Sequence, residues 1–169
     1  MRKTVETAAL LILAILCWIT YSALHGPEPL PARIPTHFDI SGQPNAWGPP
    51  QLLWLLPAIG TGLYLFLTVL GGIRFQRFNL PVPITEANLS FIQDQTSIIV
   101  AWIKFEVLCL FTYLQWKIIQ GVRAGESHLS PWMVPVFVVV IFATVGWRLA
   151  ELLRGAKVRA ESSAANVQD

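Results

Sequence analysis

The chain has 169 residues, of which 54% are hydrophobic and 13% charged, and its formal net charge is +2. A soluble domain normally carries about 25% charged residues, so this composition excludes a soluble protein. The net charge is too small to indicate a nucleic-acid partner. The apolar residues form long blocks, each close to the roughly 20 residues that a helix needs to cross the hydrocarbon core. The sequence therefore predicts an all-α, polytopic membrane protein with four transmembrane helices in contact with the lipid bilayer.

The first transmembrane helix is predicted at about residues 5–24, directly after Arg2 and Lys3. A cleaved signal peptide is the alternative, but the apolar run is long and no small-x-small cleavage pattern precedes His25. We therefore expect an uncleaved first membrane helix. Residues 25–50 are rich in proline, which breaks helices. This segment is predicted to be an ordered loop or a set of short extended elements.

The other transmembrane helices are predicted at about residues 52–73, 98–119 and 132–153. Thr85 is a suitable N-cap for a helix that starts near Glu86 and continues without interruption into the third span. Its first turns mix polar and apolar residues, as expected for an extension outside the lipid or along its surface. The segment 155–169 is small and polar, so it is predicted to be a disordered tail. Residues 1–154 then form the membrane domain.

The distribution of lysine and arginine predicts the orientation in the membrane. With the N-terminus in the cytoplasm, the outer side holds Arg33 and Arg123, with Lys117 at a helix edge. Basic residues accumulate on the cytoplasmic side of membrane proteins. We therefore expect a multi-pass protein of the bacterial inner (plasma) membrane, with both termini cytoplasmic and the proline-rich loop outside. The basic residues that are then inside are Arg2, Lys3, Arg74, Arg77, Arg154, Lys157 and Arg159.

The proline-rich loop contains a distinctive motif at residues 30–48, LPARIPTHFDISGQPNAWG. It has the form Ile-Pro-x-His-Phe, a glycine four residues after the phenylalanine, an acidic or amide residue, x, and Trp-Gly. Here the chain resembles the domain of unknown function at the N-terminal end of SdpI-type membrane proteins. The resemblance covers roughly the first 75 residues. The matching positions are Ile34, Pro35, His37, Phe38, Gly42, Asn45, Trp47 and Gly48.

This resemblance implies a binding function rather than catalysis. The founding SdpI-type protein gives producer cells immunity to a secreted toxic peptide and relays its presence to a repressor. The family offers no catalytic set to transfer to this chain. We expect the outer loop to contact a ligand or partner, through His37, Phe38, Asp39, Gly42, Asn45 and Trp47.

Three interpretations of His37 are open. Its ring can bond to the loop and hold it closed as a lid, or it can sense pH, because histidine changes charge near pH 6.5. The third interpretation is a metal site, because all three histidines fall on the predicted outer side. In an extended strand His37 and Asp39 project to the same face, and such groups bind zinc or copper. The candidate ligands are His25, His37, Asp39 and His128, although no HxxxH or HExxH spacing is present.

Charged residues interrupt the third and fourth apolar spans. Lys104 and Glu106 lie in the third span, and Arg148 and Glu151 in the fourth. Ionisable residues inside a membrane are functional candidates. Counted from the cytoplasmic ends at about 1.5 Å per residue, the depths predict the pairs Glu106–Arg148 and Lys104–Glu151 if the two helices pack as a hairpin. The four charges are interpreted as a structural ion cluster or as a proton or ion relay.

The sequence contains no P-loop, no GxGxxG, no Gly-x-Ser-x-Gly and no covalent haem motif. We therefore predict a non-enzyme, with no cofactor identified. The leading hypothesis is a sensor or immunity-type binding protein whose outer loop contacts a peptide or envelope ligand. The first alternative is an accessory subunit of a larger membrane complex, with a protein partner in the membrane or a second copy of the chain. The second is a metal-dependent enzyme or an ion or proton transporter.

Overall fold

The computed structural model describes residues 1–72, 81–126 and 128–165, so the predicted inner-side residues Arg74 and Arg77 lie outside the described part. Within it, four helical stretches are long and apolar enough to cross a membrane. This confirms the predicted four-helix membrane protein, to which the structure adds one small two-stranded sheet. The elements in chain order are α1 (Arg2–His25), β1 (Ile34–Phe38), β2 (Pro44–Gly48), a 3-10 helix (Pro50–Trp54), α2 (Leu55–Gly72), α3 (Glu86–Ala124) and α4 (Met133–Ala165).

Helix α3 is the central element and contacts α1, α2 and α4. It runs parallel to α1 and antiparallel to the other two helices. Small residues let the helices approach closely: Ala9 and Ala101 are fully buried. A Cβ atom at Gly60 of α2 would lie 3.2 Å from the Leu108 side chain of α3. The outer surfaces of the helices expose many large apolar side chains, as expected for helices that face lipid.

The proline-rich segment folds into an antiparallel hairpin, β1–β2, which pairs Ile34 with Gly48 and Phe38 with Pro44. The pairing is irregular around His37. Ile34 is only 1% exposed and packs with Ala23, Leu53 and Ile119. Burying this side chain among helix ends fixes the hairpin against the bundle, at what we call the hairpin end.

The opposite end of the bundle, where α1 begins and α4 ends, is called the terminal end. There α3 and α4 both extend beyond the predicted spans. Helix α3 begins at Glu86, directly after the predicted cap Thr85, and α4 continues to Ala165. The tail that was predicted to be disordered from residue 155 is therefore helical over most of its length. The reason is packing, because Leu152 and Ala156 of α4 are buried against Ile92 of α3.

Candidate functional site

The motif residues lie at the hairpin end, where His37 and Asn45 face each other across the two strands. The His37 Nδ1 atom is 2.5 Å from the Asn45 Oδ1 atom, and both side chains are exposed. With the Asn45 oxygen as the acceptor, the His37 Nδ1–H group is the donor in this contact. The pairing links two residues of the sequence motif and favours the interpretation of His37 as a group that holds the loop in shape.

Asp39 organises the turn between the strands. Its Oδ1 atom accepts hydrogen bonds from the Ser41 hydroxyl at 2.7 Å, the Ser41 backbone N–H at 2.9 Å and the Gln43 backbone N–H at 3.0 Å. The Ser41 and Gln43 hydrogen bonds lower the pKa of the Asp39 carboxyl group, because they favour its ionised form. This residue therefore gives the hairpin tip a fixed negative charge.

Gly42 attaches the hairpin tip to the loop between α3 and α4. The backbone N–H of Leu129 donates to the Gly42 carbonyl at 2.9 Å. Gly42 has a φ of 81°, and a Cβ atom there would lie 1.8 Å from the Leu129 carbonyl oxygen. Only glycine suits both the left-handed backbone and this close approach. The motif glycine is thus a docking point for the hairpin.

A cavity of about 570 Å³ lies under the hairpin, within the roughly 300–1,000 Å³ typical of small-molecule pockets. His37, Phe38, Asp39 and Gly42 line it from above. Asn45 and Trp47 do not line it, and Trp47 is half exposed. Much of its apolar wall comes from six residues of the 3-10 helix, α2, α3 and α4, which are Leu53, Leu55, Leu56, Leu114, Ile118 and Met133.

Gln115 is a polar residue in this cavity wall that the sequence analysis missed. Its side chain is fully buried in α3, and Nε2 donates to the Thr20 hydroxyl and to the Leu53 carbonyl, both at 2.8 Å. Its Oε1 atom has no hydrogen-bond partner among the described residues. The sequence did contain a signal, since Gln115 is the one amide side chain within the third apolar span. It was missed because only ionisable residues in the spans were considered as candidates.

The candidate metal ligands do not converge. His25 bonds to the carbonyl of Tyr21 through Nδ1, at 3.1 Å, and its ring stacks on that tyrosine. His37 and Asp39 have the partners given above. Within residues 1–72, 81–126 and 128–165, no three His, Cys, Asp or Glu side chains form a group that could hold a metal ion. His128 lines a small crevice beside Lys117 that adjoins the cavity and shares Phe38 and Leu129 with its wall.

The intramembrane charges pair differently from the prediction. Lys104 contacts Glu6 of α1, with Nζ 2.6 and 2.5 Å from the two carboxylate oxygens. Arg148 pairs with Glu151 on its own helix at 3.0 Å. Glu106 is 7% exposed, and its Oε2 atom has no hydrogen-bond partner in the described part of the chain. The predicted pairs Glu106–Arg148 and Lys104–Glu151 were therefore wrong, because Lys104 faces α1 and α2 and not α4.

Comparison with known protein families finds a similarity over most of α1, the hairpin and the first part of α2. The family described as "Domain of unknown function (DUF1648)" matches residues 10–61. No curated protein and no solved structure shows significant similarity to the chain. The matched range contains the hairpin and the first part of α2 but neither Gln115 nor Leu129. Helix α3 and the α3–α4 loop, which lie outside the matched range, therefore complete the cavity.

Proposed function

We propose that this protein is a membrane-embedded binding protein of the sensor or immunity type, whose hairpin and underlying cavity bind a peptide or other envelope ligand. The observation that carries the proposal is the cavity of about 570 Å³ between the motif hairpin and the helix ends. Its walls come from ordered elements, and a hydrogen bond from Leu129 to Gly42 holds its cover in place. A preformed apolar cavity with a few polar atoms is the usual form of a small-ligand site.

The proposal places the hairpin on the outer face of the plasma membrane. Basic residues at the terminal end support this orientation, since such residues accumulate on the cytoplasmic side. The test is a single cysteine at Ile40, which is 97% exposed at the hairpin tip, in a chain with Cys17 and Cys109 replaced by alanine. A membrane-impermeant maleimide should label intact cells at this position. Labelling only after the cells are broken would contradict the orientation. The supporting basic residues are Arg2, Lys3, Arg154, Lys157 and Arg159.

Helix α3 supports the sensor role because it connects the two ends of the molecule. It has 39 residues and is therefore about 58 Å long at roughly 1.5 Å per residue. A bilayer core of about 30 Å covers only part of that length. The same helix carries Gln115 in the cavity wall and, in the part that extends beyond the bilayer at the terminal end, Asn88. This extension of α3 supplies the output surface that a sensor needs.

The binding function is tested by native mass spectrometry of protein purified from its own membranes in mild detergent. Wild-type protein should retain a small ligand. Leu114→Trp, which fills the cavity, should lose it. The matched control is Leu65→Trp, because Leu65 is 59% exposed on the lipid-facing side of α2. Equal ligand occupancy in all three proteins would contradict the proposal.

An accessory role in a larger membrane complex is the second candidate. The observation that favours it is the transmembrane surface of α4, which exposes Val139, Phe142 and Trp147 by 67%, 73% and 68%. The same purification tests it, because an assembly of fixed stoichiometry would appear in native gels. In that case Phe142→Ala should release the chain from the assembly and leave ligand retention unchanged.

A further inference from the structure

The chemistry of the cavity narrows the class of ligand, provided that the binding function proposed above is correct. Three apolar side chains that line it, Leu52, Leu55 and Val134, are themselves 45%, 58% and 44% exposed. They belong to the start of the second and fourth membrane-spanning stretches. The mouth of the cavity therefore lies at the level of the bilayer boundary, with an apolar rim. A molecule can enter it from the lipid without crossing a hydrated surface.

Gln115 belongs to the cavity wall and keeps one buried hydrogen-bond acceptor without a partner among the described residues. The amide orientation follows from its partners, because the Leu53 carbonyl can only accept and so must face the Nε2 group. That leaves Oε1 as the atom without a partner. A buried acceptor without a donor costs free energy. Because the side chain is fully buried, a ligand N–H or O–H group satisfies this acceptor when the amide turns toward the cavity.

Among the described residues, Asp39 is the only Asp, Glu, Lys or Arg that lines the cavity. Its Oδ1 atom is occupied by the turn, and Oδ2 makes no hydrogen bond within the described residues. The residue is exposed, so a charged head group can approach it from the water side. The carboxylate favours a cationic or donor-rich head group and disfavours a phosphate or carboxylate.

We propose that the cavity binds a single-chain amphiphile from the outer leaflet, with an N–H or O–H donor next to its chain and a cationic head group. The chain lies against Leu56, Leu114 and Ile118, the donor bonds to Gln115 Oε1, and the head group lies beside Asp39. These three features occur together in one site, formed by the hairpin tip and by the ends of α2, α3 and α4 next to it.

The first test changes the ligand and leaves the protein intact. The probe is the dodecanoyl amide of ethylenediamine with a diazirine in its chain, photolysed with wild-type protein in phosphatidylcholine nanodiscs. Peptide mapping should find the label near Leu114 and Leu56, and less at the lipid-facing Leu65. Unlabelled amide should compete. Dodecanoylcholine, an ester without the N–H, should compete about tenfold more weakly than the amide with the same trimethylammonium head group, the worth of one hydrogen bond. N-dodecanoylglycine, with a carboxylate head group, should also be weaker.

The second test is a substitution of Asp39 that keeps the hydrogen bonds of the turn, so that the hairpin still folds. Asp39→Asn retains an oxygen that accepts the turn hydrogen bonds but removes the charge. It should weaken the cationic amide severalfold and bring N-dodecanoylglycine close to it in affinity. Glu28→Gln is the matched control, because Glu28 is an exposed carboxylate at the hairpin end that does not line this cavity. It should leave both affinities unchanged.

The outcomes separate this inference from the proposed function. Labelling spread evenly over lipid-facing residues would overturn the proposal that the cavity binds an amphiphile. Equal competition by amide and ester would overturn it as well. If native mass spectrometry instead finds a peptide that Leu114→Trp loses, the site binds a ligand of another class and only this inference fails. If wild-type protein retains nothing and no probe competes at the cavity, both fail.

Discussion

The ammonium group of Lys104 contacts both carboxylate oxygens of Glu6, and this ion pair joins α3 to α1 near the terminal end. Lys104 is 1% exposed and also donates to the Thr68 hydroxyl at 3.1 Å. The Tyr64 ring lies 4.7 Å from the same nitrogen. Three helices thus meet at one buried cation. This contact holds α1 and α2 against α3.

Glu6→Gln is expected to destabilise the protein strongly, because it leaves the buried Lys104 without its counter-charge. Breaking a buried pair by removing one partner costs about 3–5 kcal/mol. The double variant Glu6→Gln, Lys104→Met should be more stable than Glu6→Gln alone, since it removes the unpaired charge. The measurement is denaturant unfolding in detergent micelles. If the double variant is less stable than Glu6→Gln alone, Lys104 stabilises the protein mainly through contacts other than the ion pair.

The control for this pair is Glu151→Gln, which removes the partner of Arg148. That pair is more exposed, with side-chain fractions of 17% and 44%. Ion pairs of this kind contribute about 0–1 kcal/mol. The unfolding midpoint should therefore change little. A loss as large as that of Glu6→Gln would indicate a role in the membrane beyond the observed pairing.

Gly42→Ala is expected to detach the hairpin tip from the α3–α4 loop. The new methyl group would collide with the Leu129 carbonyl, and the left-handed backbone adds strain of about 1–3 kcal/mol. Amide hydrogen exchange should accelerate over residues 34–48 and change little in the helices. Ligand retention should fall with it.

Gly125→Ala separates strain from collision. Gly125 also has a positive φ, of 72°, but a Cβ atom there would meet nothing within 4 Å. This variant should therefore show the strain cost alone, and exchange in the hairpin should stay at the wild-type rate. Equal acceleration in both variants would contradict a specific docking role for Gly42.

Asp39 is expected to make the hairpin turn sensitive to acid. Its folded-state pKa is lowered, so the unfolded hairpin binds the proton more tightly than the folded one. The resulting stabilisation is present above the ordinary value of 3.8 and is lost as the pH falls through the lower folded pKa. Amide NMR signals of Ser41 and Gln43 should shift in this acidic range, and Asp39→Asn should abolish the shift. A shift that survives the substitution would point to another group.

The sequence was sufficient to predict the four spans, because each apolar block is long and bounded by polar residues. It was not sufficient to predict the charge pairs. Depth along a helix follows from counting, but the face of α3 that meets α1 depends on the packing of the whole bundle. Glu6, the only acidic residue of α1, lies level with Lys104 because α1 and α3 run parallel. Counting within α3 and α4 alone could not find it.

The motif located the candidate site but not its interior. Of the hairpin residues predicted from this pattern, His37, Phe38, Asp39 and Gly42 line the cavity, and Asn45 and Trp47 do not. Gln115 and Leu129 come from distant positions in the chain, and only folding brings them under the hairpin. The helical start of the tail was missed for a related reason, since Ala156 is buried against Ile92 of α3.

Asn88→Leu is expected to loosen this tail. The buried Asn88 side chain accepts from the Thr85 backbone N–H at 2.8 Å and donates to the carbonyls of Pro83 at 3.0 Å and Ala156 at 3.2 Å. Leaving such buried groups without partners costs about 1–3 kcal/mol. Amide exchange over residues 156–165 should accelerate, while the transmembrane part of α4 keeps its protection. Ser90→Ala, an exposed change on the same helical extension, should have no effect. Unchanged exchange in Asn88→Leu would mean that the tail is held by its apolar contacts with Ile92, and Ile92→Ala should then release it.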